Sequence, residues 1–529
     1  MAQENGTKDI FKYHSTVKSK RTHSKLKLLP LVAMVAICLS SLSLMPMQSV
    51  AQNLPTLGDT AREDLSPLME RKLGEQIMQS VRRDPDYVDD GPISEYLNKL
   101  GGNLLEKRPD ARGEAAYDFQ FFAVRDPVLN AFAFPGGFIG FHSGLLLAAQ
   151  SESELASVMG HEIGHVSQRH IARMIGSQKQ DVLIPLAALV LAALAARSSP
   201  DAAMALVMGG QGLSIQRQIN FTRESEREAD RVGFQILRDG GYDTAGMVTF
   251  FGRLQHASRN YTDSGLSYLR SHPLTSERMA DIQGRMLDQR YKQRTDGLDF
   301  YLMQARIRVL QDSSTQGLMD ATTFFLAQIK TSQEEGVLSA EYGLAFVAYK
   351  QHDYEKALNL LNQLTKKLQQ SATQKKWLTQ TSSFASLAID IEMANKQIDR
   401  AITLAEAALQ DLPLARGIVV QYAEALITAN RTEDATIFLR DQVSLYRHEA
   451  ALQNLLAKAY AAQGKTALQH IALAEGYAID GALPAALQQL EIARKDPDVQ
   501  FYDLSVIDAR EREWQEKHKE ELLSEKKKR

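Results

Sequence analysis

The chain has 529 residues, of which 44% are hydrophobic and 24% charged, so it exceeds one ordinary domain and is not a disordered, collagen-like or polytopic membrane protein over most of its length. Its 61 basic and 64 acidic residues give a net charge of −3, whereas nucleic-acid-binding proteins normally carry a basic excess, so no nucleic-acid partner is expected. Cys38 is the only cysteine. It falls in the targeting segment described next, so the mature chain is expected to have no cysteine. Disulfides and thiolate metal sites are then excluded, and a metal would need His, Asp or Glu ligands.

Residues 1–51 have the parts of a secretory signal peptide. Basic residues dominate positions 1–27, an apolar run covers 28–45, and small residues precede the end of the segment. We predict cleavage after Ala51 and export to a bacterial periplasm, since the remaining chain is more acidic and lacks cysteine. A retained membrane anchor is the alternative, because the apolar run approaches the length of a bilayer span.

Residues 52–299 predict a domain that mixes helices with a small sheet. Apolar and polar residues alternate over 117–124, which is typical of a strand. Residues 129–142 predict a hairpin whose two arms meet at a Pro-Gly-Gly turn. A helix is predicted to begin at Ser151 with an S-x-x-E capping box and to continue to about residue 172.

A second apolar segment covers residues 182–196 and contains Pro185. It is too short to span a bilayer. We predict a buried or loosely packed helix, and the alternative is an element that contacts a membrane peripherally or covers an active site.

Residues 300–510 predict helices only. Small residues recur at a spacing of 34, as between Ala401 and Ala435. A helix–turn–helix period of 34 with small residues where the helices touch is typical of tetratricopeptide repeats, which stack into a curved solenoid. We therefore predict an α-solenoid over this range and a charged, solvated tail at 511–529; a helical bundle without repeats is the alternative.

The sequence His-Glu-Ile-Gly-His at residues 161–165 is an HExxH motif within the helix that begins near residue 151. A spacing of four places His161 and His165 on one helical face, where both can bind one zinc ion. Glu162 can accept a proton from a water at the open side of the metal. No third histidine follows at the metzincin spacing, so the third ligand is predicted to be a carboxylate.

Residues 223–230 supply the candidate carboxylates. Glu226 and Asp230 are four residues apart on one predicted helical face. Glu226 can complete a site of two histidines and one glutamate, and Asp230 can accept a hydrogen bond from the far nitrogen of a ligand histidine. Glu224 and Glu228 are predicted to point elsewhere and to be solvated. An ordinary charged helix face is the alternative.

With these motifs, residues 65–290 resemble the zinc metallopeptidases related to HtpX and the CAAX-prenyl proteases. The resemblance also rests on Asn130-Ala131-Phe132-Ala133 before the Pro-Gly-Gly turn, and on Ser271-His272-Pro273 before Arg278. The exported form with C-terminal repeats resembles the periplasmic beta-barrel assembly-enhancing proteases of Gram-negative bacteria. The implied fold is α+β but mainly α, with a zincin-like domain and small sheet followed by a solenoid of tetratricopeptide repeats.

The resemblance implies roles for the motif residues. One zinc per chain would be bound by His161, His165 and Glu226, with Glu162 as general base. Asp230 occupies the position of a proton donor or of an acid that supports a ligand, and the second role is favoured because Glu162 can move the proton.

The resemblance also implies a histidine near the zinc at position 272. His272 would act as a fourth ligand that occupies the water site and keeps the enzyme inactive, or as a donor that stabilises the oxyanion. An ordinary loop histidine is the alternative. Arg278 is a candidate for orienting Glu226 through a charge-assisted bond.

The first hairpin arm is the predicted substrate site. The backbone of Asn130, Ala131, Phe132 and Ala133 can pair with an extended substrate as an added strand. The alternative is that the hairpin only packs against the core.

The predicted function is a zinc endopeptidase that degrades unfolded or misassembled outer-membrane proteins and promotes beta-barrel assembly as a chaperone. The expected partners are those clients and, through the repeats, the beta-barrel assembly machinery, with possible peripheral membrane contact through 182–196. The alternative function is a repeat-based chaperone or scaffold with a largely silent metal site. The intact base Glu162 favours the enzyme.

Overall fold

The computed structural model describes residues 65–176, 223–260, 267–287, 294–371 and 374–526. The predicted signal peptide at 1–51 and the apolar segment at 182–196 lie outside these residues. Within the described ranges, none of the helices has the length and apolar character needed to cross a membrane.

Helices dominate the chain, and the only sheet in the described residues has three short strands. The N-terminal part contains α1 (Pro67–Val81), α2 (Gly91–Lys107), a 3-10 turn (Pro109–Arg112), β1 (Gln120–Val124), β2 (Ala131–Phe134), β3 (Phe138–His142), α3 (Ser143–Ala148), α4 (Glu152–Ser167), α5 (His170–Gly176), α6 (Arg223–Asp239), α7 (Ala245–Asn260), α8 (Ser267–Ser271) and α9 (Ser276–Leu287). The C-terminal part contains α10 (Leu298–Gln311), α11 (Thr315–Thr331), α12 (Glu334–Lys350), α13 (Tyr354–Gln370), α14 (Trp377–Gln380), α15 (Ser383–Ala394), α16 (Ile398–Asp411), α17 (Arg416–Thr428), α18 (Thr432–Leu445), α19 (Ala450–Ala462), α20 (Thr466–Ile479), α21 (Leu483–Lys495) and α22 (Phe501–Lys526). The predicted α+β, mainly helical class is confirmed.

The sheet has the order β1-β3-β2. Strand β3 pairs in parallel with β1 and antiparallel with β2. The predicted hairpin is present, whereas the predicted strand at 117–124 begins only at Gln120. Gly140 lies at the centre of the sheet, where a Cβ would approach the Phe132 ring to 2.4 Å, so only glycine allows the aromatic packing seen there.

Helix α4 begins as predicted but ends earlier. Ser151 caps it by accepting a hydrogen bond from the Glu154 backbone N–H at 3.2 Å. The helix stops at Ser167 because Arg169 adopts a left-handed φ of 53°. This conformation directs the Arg169 guanidinium to the buried carboxylate of Glu70, at 2.7 Å from Nε. The chain then turns into the separate helix α5.

The C-terminal helices follow the predicted period. Helices α16, α18 and α20 begin at Ile398, Thr432 and Thr466, which are 34 residues apart. Ala401 and Ala435, which define the period in the sequence, are fully buried in one apolar cluster. Neighbouring helices therefore approach closely at these small residues.

Helix α10 belongs to two hydrophobic cores. Phe300, Met303 and Ile307 pack into the core of the N-terminal part. The side chains on another face of the same helix, including Leu302 and Val309, pack into the first core of the C-terminal helices. The predicted domain boundary at residue 300 thus falls inside a helix that both parts share.

A second contact joins the two parts at α2 and α17. A Cβ added to Gly91 would lie 2.6 Å from the Gly417 Cα. The Gly417 N–H also donates to Glu95 Oε1 at 3.0 Å. Glycine at both positions lets the two helices touch through their backbones.

The predicted solvated tail begins within α22. This helix runs from Phe501 to Lys526, and Trp514 is only 3% exposed. Arg510 Nε donates to Glu475 Oε1 at 2.6 Å. Within the predicted tail, Trp514 therefore packs on the last helical layer, whereas most of residues 515–520 are exposed.

Candidate active site

Two glycines allow helix α4 to pack directly on helix α6. A Cβ at Gly160 would lie 3.1 Å from the Gly233 carbonyl oxygen, and one at Gly164 would lie 2.9 Å from the Ala229 carbonyl oxygen. Both distances are too short for a side chain without displacement of the neighbouring backbone. The glycines therefore bring the HExxH motif of α4 against the acidic residues of α6.

Four buried side chains converge at this contact. The Nε2 atoms of His161 and His165 lie 3.1 Å apart. Glu226 places Oε2 3.5 Å from the first of these atoms and Oε1 3.3 Å from the second. His272 Nδ1 lies 3.0 Å from Glu226 Oε1. One ligand atom from each of the four residues lies within 4.8 Å of the others, which fits one metal ion, and two histidines with a glutamate are a donor set found at catalytic zinc.

An aspartate and an arginine support His161 on the side away from this cluster. His161 Nδ1 lies 3.0 Å from Asp230 Oδ1. Arg278 donates through Nε and Nη2 to both oxygens of Asp230, at 2.6 and 2.7 Å. Arg278 Nη1 lies 2.7 Å from Glu226 Oε2. The contact predicted between Asp230 and His161 is present, and so is the contact predicted between Arg278 and Glu226. The bidentate hydrogen bond of Arg278 goes to Asp230.

His165 is supported by residues that the sequence did not identify. His165 Nδ1 lies 2.9 Å from His170 Nδ1, and His170 Nε2 lies 3.1 Å from Glu228 Oε2. Arg173 Nη2 donates to the same oxygen at 2.7 Å. Glu228 was expected to be solvated; its side chain is 28% exposed and lies against His170 and Arg173 of α5, so it is only partly solvated. Glu224 is exposed as expected.

Glu162 is buried next to the cluster. In the described part of the chain, neither of its carboxylate oxygens has a hydrogen-bond partner, and Oε1 lies 3.6 Å from His272 Nε2. Burial raises the pKa of Glu162, and the nearby His272 and His161 offset this only in part. A buried carboxylate with a raised pKa is suited to accept a proton near neutral pH.

Glu226 has the opposite electrostatic environment. Burial alone would raise its pKa, but the adjacent His272 and hydrogen bonds from His161 and His165 outweigh burial and hold the pKa well below its usual value. Glu226 is therefore ionised at neutral pH, as a metal ligand must be.

Tyr268 is a further residue of the site that no sequence spacing indicated. Its ring stacks on His272 with centroids 4.7 Å apart and planes inclined by 28°. Its backbone N–H donates to the Leu129 carbonyl oxygen at 3.2 Å. Tyr268 thereby connects the helix before His272 to the segment that leads into β2.

Strand β2 is an edge strand of the sheet. The His142 N–H donates to the Asn130 carbonyl, and Phe132 lies opposite Gly140. Because hydrogen-bonded pairs alternate in an antiparallel ladder, the N–H and C=O groups of Ala131 and Ala133 turn away from β3.

The side chains of this segment differ in their surroundings. Ala131 is buried in the core, and the Phe132 ring packs against Phe134 at 5.0 Å. Asn130 Oδ1 is buried, with no hydrogen-bond partner among the residues that the structure describes. Of these residues Ala131 is fully buried, whereas Asn130, Phe132 and Ala133 are half-buried.

Comparison with known proteins shows the family of the chain. Residues 102–286 match the family described as Peptidase family M48. The chain is 30% identical over 460 residues to the beta-barrel assembly-enhancing protease of Escherichia coli (strain K12), which covers 87% of this chain and 91% of the relative. It is 35% identical over 345 residues to a putative beta-barrel assembly-enhancing protease of Vibrio cholerae, covering 64% and 69%. The mitochondrial metalloendopeptidase OMA1 of Arabidopsis thaliana is 29% identical over 213 residues, covering 39% of this chain and 41% of the relative. The chain therefore belongs to the beta-barrel assembly-enhancing protease family of M48 metallopeptidases.

Proposed function

We propose that the chain is a zinc-dependent endopeptidase of the bacterial periplasm that degrades misassembled outer-membrane proteins. The observation that carries the proposal is the convergence of His161, His165 and Glu226 beside the buried carboxylate of Glu162. A purely structural metal site would not need a buried carboxylate next to three ligands.

The residues of the site divide the work of peptide hydrolysis. Zinc bound by His161, His165 and Glu226 would polarise the scissile carbonyl and lower the pKa of a water molecule. Glu162 accepts the proton of that water at its carboxylate and donates it to the leaving amine. Asp230 holds the orientation of His161, and Arg278 holds the orientations of Asp230 and Glu226.

The edge of β2 is the proposed substrate site. An extended peptide would pair with the outward N–H and C=O groups of Ala131 and Ala133 as an additional strand. The buried Oδ1 of Asn130 would accept a hydrogen bond from the substrate backbone. Such recognition depends on the extended backbone of the substrate rather than on the side chains of the substrate. This suits unfolded or misassembled clients.

Several further observations support the proposed location and clients. Residues 1–51 have the sequence of an export signal, and the relatives named above act in beta-barrel assembly according to their names. The 34-residue period of the C-terminal helices supports tetratricopeptide repeats, a fold that binds protein segments. These repeats would contact clients or the beta-barrel assembly machinery.

A second candidate function is a chaperone or scaffold in which the repeats act alone. It is favoured by the extent of the C-terminal helices and by their shared core with the N-terminal part at α10. Both functions can operate in one molecule if proteolysis is restricted to stalled clients.

Two substitutions in the site test the proposal. Glu162→Gln should retain zinc and lose cleavage of casein by about 10²- to 10⁴-fold, because the general base is removed. Glu226→Ala should lose both zinc and activity. Glu224→Gln, at an exposed position of the same helix, is the matched control and should change neither.

Elemental analysis and a cleavage assay measure these outcomes. A full zinc complement in Glu226→Ala would show that the ligand assignment is wrong. If Glu162→Gln abolishes cleavage but fully restores outer-membrane assembly in cells lacking the protein, the scaffold function is the dominant one.

A further inference from the structure

The two histidines of the HExxH motif are supported in different ways. The far nitrogen of His161 meets an acid directly, since Asp230 lies 3.0 Å away. The far nitrogen of His165 meets another imidazole, His170, at 2.9 Å. His170 is 2% exposed and lies at the start of α5, outside the motif.

The hydrogen-bond donors and acceptors of His165, His170 and Glu228 can be assigned in one consistent way. If His165 binds the metal through Nε2, its proton is on Nδ1, which donates to Nδ1 of His170. His170 then carries its own proton on Nε2 and donates to Glu228 Oε2, 3.1 Å away. The same oxygen also accepts a hydrogen bond from Arg173, so Glu228 is the acceptor at this end of the chain of hydrogen bonds.

We propose that His170 is a positioning residue that fixes the ring orientation and tautomer of His165 through a relay anchored by Glu228 and Arg173. The inference rests on the proposed zinc site. It assigns to His170 the role that Asp230 has for His161, with an imidazole rather than a carboxylate at the far nitrogen of the ligand histidine. The relay holds Nε2 of His165 toward Glu226, whose Oε1 lies 3.3 Å away.

Zinc affinity tests the relay independently of activity. His170→Phe keeps a buried aromatic ring but cannot accept or donate, so the full-length protein should bind zinc about 10- to 100-fold more weakly in competition with a chelator. His170→Gln should recover part of the affinity, since its amide offers both an acceptor and a donor. Glu228→Ala should weaken binding, whereas the exposed control Glu224→Ala should not.

The combined variant and the cobalt-substituted protein separate a relay from simple packing. His170→Phe with Glu228→Ala should lose little more affinity than His170→Phe alone, because both changes break one chain of hydrogen bonds. The visible spectrum of the cobalt form should shift in His170→Phe and return toward wild type in His170→Gln. The relay would be overturned, and the proposed function left standing, if His170→Phe changes neither the zinc affinity nor the cobalt spectrum. This holds even if the metal-free variant melts at a lower temperature. A wild-type protein that binds no zinc would overturn the proposed function as well.

Discussion

Arg306 gives the sharpest test of how the two parts of the chain are held together. It lies on the shared helix α10 and is only 3% exposed. Its Nε and Nη2 donate to Asp90, the nearest contact being 2.6 Å, and Nη1 donates to the Tyr342 hydroxyl at 2.5 Å. Asp90 also caps α2 by accepting from the Ile93 N–H at 3.1 Å. One arginine therefore joins the start of α2 to helices α10 and α12.

Arg306→Met is expected to lower the free energy of unfolding by about 3–5 kcal/mol, because it leaves the nearly buried Asp90 carboxylate without its cation. Adding Asp90→Asn should restore most of this loss. The asparagine keeps a capping oxygen for α2 but carries no charge, and replacing both members of a buried pair is often nearly neutral.

Urea unfolding followed by tryptophan fluorescence provides the assay. The two tryptophans of the chain, Trp377 and Trp514, both lie in the C-terminal part. Arg308→Met is the control on the same helix, since the Arg308 guanidinium lies over Phe324 at 3.7 Å and its loss should cost about 0.5–1 kcal/mol. A loss below about 1 kcal/mol in Arg306→Met, or a double variant as unstable as the single one, would refute the argument.

Two further substitutions have defined outcomes. His272→Ala should change the spectrum of the cobalt-substituted protein, because His272 is one of the four residues that could hold one metal ion. Faster cleavage would indicate an inhibitory fourth ligand, and a loss of about 10²- to 10³-fold would indicate an oxyanion donor, whereas an unchanged spectrum and rate would contradict both roles. Burial raises the pKa of Asp390 to about 6, although Arg306 opposes the shift. Asp390 is therefore ionised above about pH 6, where its charge destabilises the fold, but not near pH 4. Asp390→Asn should raise the melting temperature at pH 8 and leave it nearly unchanged at pH 4. Equal shifts of the melting temperature at pH 4 and pH 8 would contradict this.

The sequence predicted the parts of the site that depend on local geometry. His161 and His165 share a face because they are four residues apart in one helix, and the same spacing pairs Glu226 with Asp230. The capping residue Ser151 correctly predicted the start of helix α4. These features need no knowledge of tertiary structure.

Features that depend on distant contacts were not predictable in this way. The end of α4 is set by Arg169, whose unusual φ is compensated by an ion pair with Glu70, 99 residues earlier. The dual role of α10 also escaped detection, because its two apolar faces give no sign of which core each face enters. The composition of the last segment suggested solvent exposure, but burial of Trp514 is decided by the helices packed beneath it.

The charge balance of the site explains why its acidic residues need a cation. Helix α6 supplies Glu226 to the centre and Asp230 to His161, and Glu162 adds a third buried carboxylate from α4. Among the residues that the structure describes, Arg278 is the arginine that forms ion pairs with these buried acids, through Glu226 and Asp230. With the imidazoles neutral, as metal ligands are, three carboxylates and one guanidinium group leave two negative charges in a buried space. A divalent cation between His161, His165 and Glu226 neutralises them where desolvation makes uncompensated charge most costly, so metal binding and stability of the α4–α6 contact are expected to rise together.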